Sequence, residues 1–65
     1  MRLYVDGEWS GWDGETTVRL SDGSEWQQDE YFYEYHYAHT PKAEISNGKM
    51  IVVGMSRAVQ VRRLN

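Results

Sequence analysis

Lys42-Ala43-Glu44-Ile45-Ser46-Asn47-Gly48-Lys49-Met50-Ile51-Val52 is the stretch that decides the fold. Asn-Gly between two runs of strand formers is the strongest short hairpin signal, because a two-residue type I′ loop needs φ > 0 at both central residues. Such a loop sets Ser46 against Lys49, Ile45 against Met50 and Ala43 against Val52. Downstream, Gly54 to Arg57 reads as a four-residue loop. It places Val53 opposite Ala58, Val52 opposite Val59 and Met50 opposite Val61. One face of this three-stranded meander then collects Ala43, Ile45, Met50, Val52, Val59 and Val61, whereas a one-residue slip would mix apolar with polar positions.

Upstream, Asp22-Gly23 marks another hairpin. A two-residue loop would oppose Arg19 and Trp26. A three-residue loop, Ser21-Asp22-Gly23 with glycine left-handed, opposes Val18 with Trp26 and Leu20 with Ser24. The second pairs apolar with apolar and is preferred, making Trp26 a core anchor. Arg2 to Val5 reads as a short strand. Asp6 to Glu15, with three glycines around Trp9 and Trp12, reads as a sharply bent, irregular segment folding both indoles over one end of the molecule.

Between these segments lies Tyr31-Phe32-Tyr33-Glu34-Tyr35-His36-Tyr37. Tyrosines at every second position share one face of a strand. Carried forward without a bulge, the odd positions become Ala43 and Ile45, which predicts that the tyrosine face is the inner face of one long, bent strand. Pro41 is the position at which a bend would invert that parity, since proline cannot donate to a ladder.

The 65 residues hold one domain, 1–65, with no cysteine to staple it. No window shows a sustained helical period. The chain is too short for a sandwich, so the expected fold is all-β: a five- to six-stranded antiparallel, SH3-like barrel built from meander hairpins. Three Trp, five Tyr and one Phe supply the apolar area so small a core needs, at about 150–250 Å² per buried ring.

Net charge is −3, which argues against nucleic acid as a partner. Residues 1–34 carry two basic and nine acidic groups, and residues 35–65 carry five basic and one acidic. In a compact sheet that asymmetry means acidic strands beside basic ones. The first fourteen residues lack the apolar core of a signal peptide, and the apolar run Met50 to Val53 cannot span a bilayer, so the expected setting is the cytoplasm, away from membranes.

Catalysis is not expected. No cysteine is present, no serine sits in a Gly-x-Ser-x-Gly setting, and no glycine-rich loop precedes a helix. The pairs Asp13/Glu15 and Asp29/Glu30 read as solvated turn residues. His36 and His39, three apart, fall on opposite faces of a regular strand, so neither a metal nor another cofactor is expected. Trp9, Trp12, Tyr31, Tyr33, Tyr35 and Tyr37 are the candidate binding residues. Rings in a tiny barrel also serve as filler, and that reading is preferred for most of them.

The pieces Trp12-Asp13-Gly14-Glu15-Thr16, Leu20-Ser21-Asp22-Gly23 with Trp26-Gln27-Gln28, Tyr33-x-Tyr35-x-Tyr37, Pro41-Lys42 and Val59-x-Val61-x-Arg63-Leu64 together resemble a small bacterial all-β domain family of unknown function. The resemblance runs from about Val5 to Leu64. It implies a small SH3-like barrel and no activity.

The expected function is therefore a non-catalytic interaction module that binds a protein segment, or its own copy as a homodimer, through aromatic surface or a sheet edge. The alternative is a small-ligand or glycan-binding domain using the Trp and Tyr rims. Single-stranded nucleic acid binding, resting on aromatics beside Arg57, Arg62 and Arg63, ranks below both.

Overall fold

A computed structural model of the chain describes residues 3–65. Its strands are β1 (Leu3–Tyr4), β2 (Glu8–Asp13), β3 (Thr17–Arg19), β4 (Glu25–Gln28), β5 (Tyr33–His39), β6 (Lys42–Ser46), β7 (Lys49–Val52) and β8 (Val59–Arg63). Six of them form one antiparallel sheet in the order β1-β6-β7-β8-β4-β3, and β2 pairs with β5 alone. The sheet curls until its two edges meet: Val5 bridges Leu20, Ser21 N donates to Tyr4 O and Asp6 N to Arg19 O, both at 2.8 Å. The result is a small all-β barrel, as the hairpin pattern predicts. Of the expected first strand, Arg2 lies outside the described residues.

The Asn47-Gly48 hairpin has the predicted register, with Ala43 opposite Val52 and Ile45 opposite Met50. The three-residue loop at Ser21 to Gly23 is also present: Val18 faces Trp26, Leu20 N donates to Ser24 O, and Gly23 sits at φ 86°. Trp26 is half-buried against the core, and its indole N–H donates to Ser24 Oγ at 2.9 Å.

The β7–β8 register differs from expectation. Met50 faces Val59 and Lys49 faces Gln60, a shift of two residues. A shift of two keeps every side chain on its face, so Met50, Val52, Val59 and Val61 are all buried as predicted. The longer loop has a job: it brings Met55 into the core, where the sulfur accepts the Trp9 indole N–H at 3.3 Å. Ser56 then donates from N and Oγ to the Glu34 carboxylate, and Arg57 pairs with Glu30 at 2.7 Å.

The segment expected to be irregular, Asp6 to Glu15, instead holds the six-residue strand β2. β1 and β2 run consecutively along β6 and β5, so one bent ribbon spans both sheets. Gly7 (φ 97°) turns the first strand, and a register shift between Trp9 and Gly11 adds a second bend. Gly11 (φ 104°) is obligatory, because a Cβ there would collide with the backbone carbonyl of Glu34 and lie 2.9 Å from His36 N.

The parity prediction fails at Thr40. Its φ is 45°, left-handed for a β-branched residue, and its N–H donates to Gly7 O at 2.9 Å. This kink, ahead of Pro41, turns the strand over. Ala43 and Ile45 point into the barrel, while Tyr33, Tyr35 and Tyr37 point out to solvent. The filler role assigned to the tyrosines belongs to Trp9 and Trp12, whose rings meet edge to face at 4.9 Å. They lie opposite Ala38 and Glu34, small or slender side chains that leave the inner volume to the indoles. Among the described residues the Trp12 N–H has no acceptor.

Candidate functional site

The outer face of the β2–β5 ribbon gathers the four phenols. Tyr31, Tyr33, Tyr35 and Tyr37 are 86%, 58%, 78% and 55% exposed. The inner positions of β5 explain their outward placement. Phe32 and Ala38 pack on the core, Glu34 binds the Ser56 turn, and His36 lies against Gly54, where a Cβ would come within 2.5 Å of Nε2. With even residues committed inward, alternation sends the odd ones out.

Residues paired across an antiparallel ladder share a face. Asp13 therefore stands beside Tyr33, Gly11 beside Tyr35, and Glu8 beside His39. The missing side chain at Gly11 leaves the Tyr35 ring without a cross-strand neighbour. The Glu8 carboxylate near the Tyr37 phenol raises that phenol's pKa above the ordinary 10.0, first through its pull on the phenol proton and then through its charge. Tyr33 is raised too, first by its hydrogen bond with Tyr31, then by charge on that phenol and burial, with Asp13 and Glu15 adding to it. Both phenols are thus neutral hydrogen-bonding groups at neutral pH.

At one end of the face the Tyr31 and Tyr33 rings meet at 76° with centroids 5.1 Å apart. With Asp13, Gly14 and Glu15 they line a cup of about 320 Å³. The Tyr33 phenol lies over Gly14, where a Cβ would be 3.0 Å from its oxygen. Asp13 Oδ1 accepts from Glu15 N at 2.9 Å and Thr16 Oγ1 at 2.8 Å. Those bonds hold its carboxyl below the usual aspartate range.

Gln28, 5% exposed, fastens both walls of the cup. Its Oε1 accepts from Gly14 N at 2.8 Å, and its Nε2 donates to Phe32 O at 2.8 Å and Glu30 O at 3.0 Å. One buried amide thus ties the Gly14 turn to the chain between Tyr31 and Tyr33. A glutamine in a strand carries no signal of which backbone groups it will meet, so this role of Gln28 is not legible in the sequence.

Of the six candidate binding residues, the four tyrosines lie together on this face. Trp9 and Trp12 do not join them: at 3% and 2% exposure, on the inner side of β2, they present no ring to a partner. Asp13 and Glu15, expected to be plain turn residues, lie at the cup. His36 faces inward and His39 outward, and among the described residues no three His, Asp or Glu side chains converge. A second concavity, about 140 Å³, separates the outer edge of β2 from β3, between residues 8–11 and 16–19. Among the described residues no helix is long and apolar enough to cross a membrane.

No family model, no curated protein and no solved structure matches the chain.

Proposed function

We propose that the protein is a non-catalytic interaction module whose tyrosine face binds a protein segment. The observation that carries this reading is the inversion at Thr40, which leaves the three alternate phenols of β5, with Tyr31 just ahead of them, in water on one face. Contiguous exposed aromatic surface on a domain this small marks an interaction site. Tyrosine suits that role: it adds large contact area at the cost of two torsions, and its hydroxyl bonds to backbone groups of a partner. The outer edges of β2 and β5, unpaired with any strand among the described residues, lie at the borders of the face and offer main-chain groups to an extended segment. The resemblance to a family of unknown function adds no residue to this reading.

Selection of a displayed library of random twelve-residue peptides on the immobilised domain tests it. Peptides should be recovered whose affinity falls more than tenfold when Tyr35 and Tyr37 are both changed to alanine, the loss expected for buried aromatic anchors. Recovery of no peptide, or of peptides indifferent to the double change, refutes the proposal. Sedimentation over a hundredfold concentration range shows whether a second copy supplies the segment.

A further inference from the structure

The tyrosine face has an unbalanced charge. Glu8, Asp13 and Glu15 border it, while the two ion pairs among the described residues, Lys42–Glu44 and Arg57–Glu30, involve none of these three. At the cup two carboxylates, Asp13 and Glu15, stand next to two rings. The rings are set nearly at right angles, so they form a corner and not a flat platform. A sugar or a base stacks on a platform. A compact cation suits a corner, since each π-face attracts positive charge and the carboxylates add to that attraction. The volume of about 320 Å³ lies at the small end for ligand sites and accommodates one side-chain group. The Gln28 amide holds both walls in place before a ligand arrives, which lowers the ordering cost of binding.

Resting on the interaction reading above, we infer that the Tyr31–Tyr33–Asp13–Glu15 corner is the subsite that takes a cationic side chain, arginine or lysine, of the partner segment. An arginine offers a planar guanidinium that stacks on one ring while donating to the carboxylates, and a lysine offers a point charge. Anionic groups, phosphorylated residues among them, are repelled at the same place.

The test titrates the isotopically labelled domain with Nα-acetyl-arginine methylamide, its lysine counterpart, and the uncharged isostere Nα-acetyl-citrulline methylamide. The arginine probe should shift the Gly14 amide and the Tyr31 and Tyr33 ring signals saturably in the millimolar range, and citrulline should not. Glu15→Gln and Tyr31→Leu, both at exposed positions, should each weaken binding about two- to fivefold, as a surface ion pair and an exposed cation–π contact predict. The same spectra report that each variant is folded. Equal shifts from citrulline, shifts confined to β5 beyond Tyr35, or variants with unchanged affinity overturn the inference. If library peptides depend on Tyr35 and Tyr37 yet ignore Glu15 and Tyr31, the cation subsite falls and the interaction module stands. If the arginine probe binds at the corner while no peptide engages the face, the failure belongs to the module.

Discussion

Replacing Gly11 by alanine is the sharpest test of how the site is built. Gly11 lies in β2 opposite Tyr35, at φ 104°, with β5 pressed against it. An added methyl group meets the Glu34 carbonyl oxygen and lies 2.9 Å from His36 N and Tyr35 Cα. All three neighbours are backbone, so none can rotate away. Left-handed backbone with a Cβ costs roughly 1–2 kcal/mol, and overpacking typically about 1–3 kcal/mol more. Together they cost about 2–5 kcal/mol, against a total stability of about 3–10 kcal/mol for a domain of this length. Urea unfolding followed by tryptophan fluorescence reads the change, because Trp9 and Trp12 flank the position. With a slope of about 1 kcal/mol per molar urea, the midpoint should drop by at least about 2 M, or the ribbon should not form. Gly7→Ala is the control: φ is 97° but nothing lies within 4 Å, so only the conformational part, about 1–2 kcal/mol, should appear. Equal losses for the two variants, or an unchanged midpoint for Gly11→Ala, refute the close approach of β2 and β5.

Val61→Asp should abolish cooperative thermal unfolding, because a carboxylate at a 6% exposed core position costs several kcal/mol; a folded variant contradicts the meander. Trp12→Phe should destabilise less than Trp9→Phe, by about 1 kcal/mol in denaturant titrations, since it removes a buried donor without an acceptor whereas Trp9 loses its bond to Met55. Asp13, Asp22, Glu30 and Glu34 all have lowered pKa values, each chiefly through hydrogen bonds to backbone or hydroxyl donors. Their contribution is complete above the ordinary values of 3.8 and 4.5 and disappears as pH falls through the lower folded values. Glu34→Gln should therefore flatten the acid limb of the stability profile. The raised phenols follow the opposite sign: their stabilisation is complete below 10.0 and is lost as pH climbs past the folded values. Ultraviolet titration should find late-ionising tyrosines, and Glu8→Gln should bring Tyr37 back toward 10.0.

The hairpins were legible because their signals are local. Asn47-Gly48 fixes its loop length and register, the apolar pairing of Val18 with Trp26 selects the three-residue loop at Asp22-Gly23, and an error of two at the β7–β8 loop left every residue on its face. The alternation of Tyr31 to Tyr37 was equally legible, and it determined that the phenols share one side. Which side is not a local property. It turns on whether Thr40 adopts a left-handed backbone, and that depends on Gly7 O standing ready to accept its N–H from across the ribbon. Two indoles on β2 compete with the phenols for the interior and occupy it, a contest invisible until β2 is known to pair with β5. The same holds for the cup, because Gln28 joins turns that are distant in the chain. Amino-acid order determined the hairpins at Asp22-Gly23 and Asn47-Gly48 and the shared side of the phenols; long-range contacts decided that β2 pairs with β5 and which aromatic residues meet water.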